Sequence, residues 1–291
     1  MVTPLQNSVL AALQRDPPPV LTDYALGRLV FLATPRPAGS PGRSALDYTE
    51  VLHFLRDQKI TRNIGGLPEG RAMLLIGQSN PDPFVMLCAV DPFGYVSHLS
   101  AMEYHGLTDR LSKTLYFTTP PAPEWTQLAS ARMQKDLRNE LDAYLEARFP
   151  TLRRLQIKRL DRRPIEYHHR RVAGGYRLAD HGNVRVSSLG RTYLEMLQAP
   201  ERCGGLQHVL DIFRAHAKEH LPLILSEFDR HGTEIDRARA GYILEDIANL
   251  RDPKLDDWQQ RIQRGGSRKL YSRADYSPRY SERWAISLNH E

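Results

Sequence analysis

The chain has 291 residues, with 40 Lys and Arg against 34 Asp and Glu for a formal charge of +6; this length allows one large or two modest domains, and we read two. The positive excess lies in arginine-rich clusters, and the guanidinium fork suits phosphate oxygens, so a polyanionic partner is expected over the plain alternative of an ordinary basic protein. Of two cysteines, Cys88 sits in an apolar run, and no stretch approaches the roughly 18 apolar residues of a membrane span, so no disulfide framework, membrane segment or signal peptide is expected and a cytoplasmic location is.

Thr3-Pro4 reads as the N-cap and first residue of a helix with Leu5, Val9, Leu10 and Leu13 on one face, stopped by Asp16-Pro-Pro-Pro19. Thr22 caps a second helix, with Leu21 placed to staple onto Leu26 and Ala25, Leu29 and Val30 facing inward. The stretch 34–43 is rich in Pro, Gly and Ser. Ser44 and Asp47 form a capping-box-like start for a third helix, in which Tyr48, Val51, Leu52 and Leu55 keep helical spacing until near Asp57. Residues 59–64 and 72–76, joined by a Gly- and Pro-bearing turn, predict a hairpin, and 79–83 a linker. Three helices and then a hairpin is the order of a winged helix-turn-helix, assigned to residues 1–79.

Residues 80–291 are expected to form a larger mixed α/β domain ending in helices, with substructure at 80–187 and 188–291, which makes the chain α+β. Phe84 to Val90 reads as a buried strand. In Gly94 to Thr108, Tyr95 and Val96 close a strand, Ser97 is a helix N-cap, and Gly106 is the C′ residue that needs a left-handed backbone. His105 is either a buried histidine at a helix end or part of a partner surface. A strand at Leu115 to Thr118 and a long helix from about Trp125 to Phe149 between prolines follow. Short strands are predicted at 155–157, 165–167, 175–177 and 184–186, then helices around 193–197, 206–213, 221–228 and 235–250, and a terminal strand at 284–288.

The outer face of the third helix carries Thr49, Glu50, His53 and Arg56, the side that a recognition helix offers to the major groove. Glu50 repels phosphate unless it meets a cytosine amino group, so this face fits DNA or a protein partner. Lys59, Arg62 and Arg71 lie on or beside the hairpin, where a wing reaches flanking backbone or minor groove. The 34–43 segment is longer than a helix-turn-helix turn; carrying Arg36 and Arg43, it is a DNA-contacting loop or a surface insertion. From 153 to 177 nine Lys or Arg face only Asp161 and Glu166, densest at Arg162-Arg163 and His168-His169-Arg170-Arg171. These residues extend a DNA footprint or guard an edge strand with charge. The tail interleaves Arg261, Arg264, Arg268, Lys269, Arg273, Arg279 and Arg283 with Tyr271, Tyr276, Tyr280 and Trp284, and reads as a segment fastened to its domain rather than a single-strand platform.

No nucleophile elbow, phosphate-cradling Gly-rich loop or dinucleotide fingerprint is present. His168 and His169 would point to opposite faces of a strand and lack a further ligand at metal spacing. Gly39-Ser40 before Asp47 is a faint nucleotidyltransferase echo, but Thr49 stands where a second carboxylate is needed for two-metal phosphoryl transfer. No catalytic residue, cofactor or metal is expected.

Val96-Ser97, Ser100-Ala101 and His105-Gly106-Leu107 resemble the AbiEi antitoxin family of AbiE-type (type IV) toxin–antitoxin systems. So do the run from Val186 to Leu194, then Pro200 to Gly205, and Arg239-Ala-Gly-Tyr-Ile-Leu244, with Glu195 where an Asp is common. The long 34–43 segment departs from the family pattern. The resemblance implies a winged-helix autorepressor that binds double-stranded operator DNA with inverted repeats and counters a nucleotidyltransferase-like toxin. The competing readings are a solitary winged-helix transcription factor without a toxin and, more distantly, a nucleic-acid-processing enzyme.

Overall fold

The computed structural model describes residues 2–33, 42–77, 79–160, 162–171, 175–262 and 268–290. Residues 34–41 of the Pro- and Gly-rich segment, with Arg36, Gly39 and Ser40, lie outside the described residues, as do Asp161 and Arg264. The fold is α+β, as its composition of helix and strand signals predicts.

Helix α1 (Pro4–Arg15) starts with a reciprocal cap: the Thr3 hydroxyl accepts the Gln6 N–H at 3.2 Å and the Gln6 side chain accepts the Thr3 N–H at 2.9 Å. Leu21 and Thr22 form a short strand, β1 (Leu21–Thr22), that the sequence reading did not separate from the helix cap. The Thr22 hydroxyl then accepts the Ala25 N–H at 3.2 Å and opens α2 (Asp23–Leu32). Helix α3 (Ala45–Asp57) begins where expected, the Asp47 carboxylate accepting the Ser44 N–H at 2.7 Å. The hairpin forms from β2 (Thr61–Asn63) and β3 (Ala72–Leu75), and β1 pairs antiparallel on the far side of β3, so the sheet order is β1-β3-β2.

The expected strand over Phe84 to Val90 is instead helix α4 (Pro83–Val90). Asp82 accepts the Phe84 N–H at 2.7 Å and Pro83 fills the first turn, a start signal that outweighs the aperiodic apolar run. Six of its eight residues are buried, which is why no amphipathic stripe marked it as helical. Strand β4 (Tyr95–Val96) and helix α5 (His98–Tyr104) match expectation, as does the left-handed Gly106 at φ +67°. The cap differs: the Ser97 hydroxyl lies 2.9 Å from His98 Nδ1, and the Glu195 carboxylate accepts the His98 N–H at 3.1 Å.

After β5 (Leu115–Thr119), the expected single long helix is two. Helix α6 (Ala122–Leu137) ends at Arg138, whose φ of 50° breaks the ladder, and α7 (Leu141–Glu146) follows. The break lets Tyr144 and Phe149 pack edge-on against Phe31 of α2. Residues 155–157 form no strand, because the Tyr167 hydroxyl takes the place of a ladder partner: it accepts the Ile157 N–H at 3.0 Å and donates to the Ile157 carbonyl at 3.1 Å. Strands β6 (Arg159–Leu160) and β7 (Arg163–His169) make an antiparallel hairpin, followed by β8 (Tyr176–Ala179) and β9 (Val184–Ser187), with Val186 parallel to Val96.

The rest is mainly helical, as predicted, with different joints. Helix α8 (Leu189–Gln198) precedes a continuous α9 (Leu206–His231) that absorbs Pro222 and joins two segments read separately. Helix α10 (Glu234–Tyr242) widens into a π-turn at Ile243–Ile247, and α11 (Pro253–Arg261), capped by Asp252, was missed within the basic tail. Strands β10 (Tyr280–Ser281) and β11 (Ile286–Ser287) pair at the end, the latter a shortened form of the expected terminal strand.

Two compact units result. The first comprises Met1–Tyr95, Thr118–Val172 and Asp180–Val184; the second comprises Val96–Phe117, Ala173–Ala179 and Arg185–Glu291. The first unit's core joins Val9, Leu26, Val30, Val51 and Leu55 to Met133, Leu137, Tyr144 and Phe149. The second gathers α8, α9, α10 and α11 around Tyr193, Phe213, Phe228, Trp258 and Trp284. Each such side chain contributes about 1.5–3 kcal/mol by leaving water.

In the second unit, His105 Nε2 lies 2.7 Å from the Ser187 carbonyl and Arg177 Nη2 lies 3.4 Å from Nδ1. Burial holds its pKa below the ordinary histidine value, and the Arg177 charge adds to that, against the opposing hydrogen bond to Ser187. The unfolded chain takes up this proton near pH 6.5 while the folded chain resists it, so stability present above that pH is lost as pH falls. A thermal-melt series from about pH 7.5 to 5.5 should show a falling Tm, and His105→Gln should flatten it. His208, also held low by burial, retains part of the slope. An unchanged slope in the variant would remove His105 as the cause.

Candidate nucleic-acid interface

Helix α3 is anchored by Val51 and Leu55, which are fully buried, so its opposite stripe faces out. Thr49, His53 and Arg56 are exposed on that stripe at i, i+4, i+7 spacing, with Glu50 beside them. The Thr49 hydroxyl donates back to the Ala45 carbonyl at 2.9 Å. At the helix end, Lys59 takes φ 51° and is exposed, which turns the chain into β2. Across the hairpin Arg62 stands opposite Leu74 and Asn63 opposite Met73, and the Asn63 side chain accepts the Gly70 N–H at 3.0 Å to close the turn.

His53 and Arg56 of α3 and Arg62, Asn63 and Glu69 of the hairpin line one groove. A second cleft beside it is lined by Arg62, Asn80 and Arg159, which brings the β6–β7 hairpin to the β2–β3 hairpin. Arg162, exposed at the β6–β7 turn with φ 65°, accepts a hydrogen bond on its carbonyl from Arg159 Nη2 at 3.0 Å. Arg163 is half-buried at the same end. Arg170 and Arg171 stand at the other end of β7, about 20 Å along the strand. Arg171 is almost fully exposed and only loosely paired, 3.9 Å from Glu124, while Arg170 is half-buried. Arg159 was inside the basic run in the sequence, but no local signal separates it from its neighbours; its place beside Arg62 comes from packing.

Not every cation is equally available. Arg43 sits 3.8 Å from Asp47 in the α3 capping box. Arg56 pairs with Glu69 across the groove; with both groups well exposed, this pair contributes little stability. Arg62 donates to the Asn80 side chain and keeps its charge unmatched by that neutral partner. Arg71 differs, since its Nη1 lies 2.6 Å from the carboxylate of Asp23, a residue only 3% exposed, and its carbonyl accepts the Asp23 N–H at 2.9 Å. Removing Arg71 would strand a buried carboxylate. Arg71→Ala should therefore destabilise the protein by about 2 kcal/mol, discounted because the guanidinium is partly exposed, whereas Arg62→Ala should stay within about 0.5 kcal/mol. Urea midpoints at constant m-value read the difference, and equal midpoints would refute the structural role of Arg71.

Among the described residues, no helix is long and apolar enough to cross a membrane. No protein-family model matches the chain, and no curated protein matches it. Among solved structures it is similar to the RV2827C protein from Mycobacterium tuberculosis, at 13% identity and a TM-score of 0.50, over 98% of this chain and 92% of that one. At that identity the likeness speaks for the fold alone: an α+β chain whose arrangement resembles that protein over nearly its whole length.

Proposed function

We propose that this protein is a cytoplasmic DNA-binding autorepressor and antitoxin of the AbiEi type, which reads operator inverted repeats with a winged helix and counters a nucleotidyltransferase-like toxin. The observation that carries the DNA half is the connectivity α1-β1-α2-α3-β2-β3 with sheet order β1-β3-β2, in which the exposed stripe of α3 and the hairpin share one groove. This supports the reading, since in a winged helix a recognition helix enters the major groove and a wing contacts the backbone beside it. In this reading His53 and Arg56 face base edges, Lys59 and Arg62 hold phosphates, and Arg159 and Arg162 lengthen the phosphate track. The antitoxin half rests on the ordered motifs from Val96 to Leu244.

The test is a gel-shift series on the protein's own promoter with Lys59→Glu/Arg62→Glu. Both positions are exposed, so the variant should remain folded. Operator affinity should fall roughly a hundredfold, and the slope of log affinity against log salt should shrink by about 2. Unchanged affinity and slope would overturn the wing assignment. Co-expression with a neighbouring nucleotidyltransferase tests the second half: failure to relieve its toxicity would leave a repressor without an antitoxin role.

A further inference from the structure

A separate cleft in the first unit has no part in the proposed interface. It has a volume of about 150 Å³ and lies among the start of α2, the end of α4, α6 and the segment after Pro150. Its walls are mixed. Val20, Ala25, Val90 and Leu152 supply apolar surface, while Arg28, Arg132 and Arg153 supply three guanidinium groups. Two carboxylates also line it, but each is already matched. Asp23 is held by Arg71, and Asp136 accepts from Arg132 Nε at 3.0 Å on both oxygens, from Tyr24 at 3.2 Å, and has Arg28 Nη1 at 3.0 Å.

This balance leaves the cleft cationic. With Asp23 offset by Arg71, the single carboxylate of Asp136 is set against three guanidinium groups, and since Arg132 uses Nε and Arg28 uses Nη1, each keeps further N–H donors for a second anion. Arg153 is exposed and gives Nε only to the Thr151 hydroxyl, at 3.3 Å. Burial, reinforced by Asp136, raises the Tyr24 pKa, so its hydroxyl stays protonated and bonded to that carboxylate. The wall is therefore held by a part-buried polar network, and no carboxylate in it lacks a cationic partner.

We propose that this cleft is a binding site for a small organic monocarboxylate with a compact apolar body, its carboxylate held by Arg153 and the outer N–H groups of Arg132 and its body against Val20, Ala25 and Leu152. A void of this size holds about one six-membered ring, and a bidentate guanidinium–carboxylate contact supplies the orientation. The site goes beyond the nucleic-acid reading and does not depend on it.

The test is isothermal titration of the full-length protein with benzoate, using benzamide as the neutral isostere and inorganic phosphate as the anion without an apolar body. Benzoate should give a saturable single-site isotherm, and neither control should bind at equal concentration. Arg153→Ala should weaken benzoate by roughly tenfold or more, the equivalent of one charge-assisted hydrogen bond, without loss of fold because the side chain is exposed. Ala25→Leu, which fills the cleft from a helical position, should abolish binding. The proposal is overturned if benzoate shows no saturable heat, if phosphate binds as tightly, or if benzoate binding survives both substitutions.

Discussion

Gly241→Val is expected to lower the Tm by roughly 10 °C, a destabilisation of about 3 kcal/mol or more. Gly241 lies in α10, where a Cβ would overlap the Trp284 ring. Trp284 cannot step aside cheaply. It is 0% exposed, and its Nε1 donates to the Glu245 carboxylate at 2.9 Å. That carboxylate also accepts from Arg283, at 2.7 and 2.9 Å. The added methyls would therefore force either the ring out of a closed core or the C-terminal segment off α10. Calorimetry with tryptophan fluorescence reads both; a Tm within about 2 °C of the parent would show that the ring has room to move. A fall would also bear on the basic and aromatic tail, whose Trp284 is a core anchor rather than a stacking platform.

Asp91→Ala should cost about 3 kcal/mol in the first unit. Asp91 is 2% exposed and accepts from the Thr119 hydroxyl at 2.5 Å, Trp125 Nε1 at 2.9 Å and the Phe93 N–H at 3.0 Å. It ties the end of α4 to β5 and to the first turn of α6. Alanine leaves three donors without their acceptor, and buried donors cost more unpaired than the bonds contribute when made. Asp91→Asn retains an acceptor oxygen and should recover part of the loss. Urea denaturation of the three proteins gives the order parent, Asn, Ala; equal stability of the alanine variant and the parent would refute the hub.

Arg62 and Arg71 are residues of one type with different roles in the folded chain. Both are hairpin arginines, and in the sequence both read as wing cations. Arg71 is bound to an aspartate 48 positions away at the start of α2, and Arg62 is left to a neutral asparagine. A loss of operator affinity on replacing Arg71 would thus mix folding with contact, which is why Lys59 and Arg62 carry the test.

Local features were legible from residue order alone. Thr3-Pro4, Thr22 and the Ser44–Asp47 pair mark helix starts because capping acts within three residues, and Gly106 marks a helix end because without a Cβ it adopts the left-handed turn there at no steric cost. The α+β class and the three helices with their hairpin follow from such signals. Phe84 to Val90 carries no helical stripe because most of the segment is buried, and the Asp82-Pro83 start is the local signal for its helix. What only the tertiary structure decided were the relations between distant segments: the Arg71–Asp23 pair, Arg159 beside Arg62, the Tyr167 hydroxyl serving Ile157, and the arginine-lined cleft beside Asp136. Capping energies are set by a few neighbouring residues, whereas burial and ion pairing depend on which segments meet, and that is fixed by the packing of the whole core.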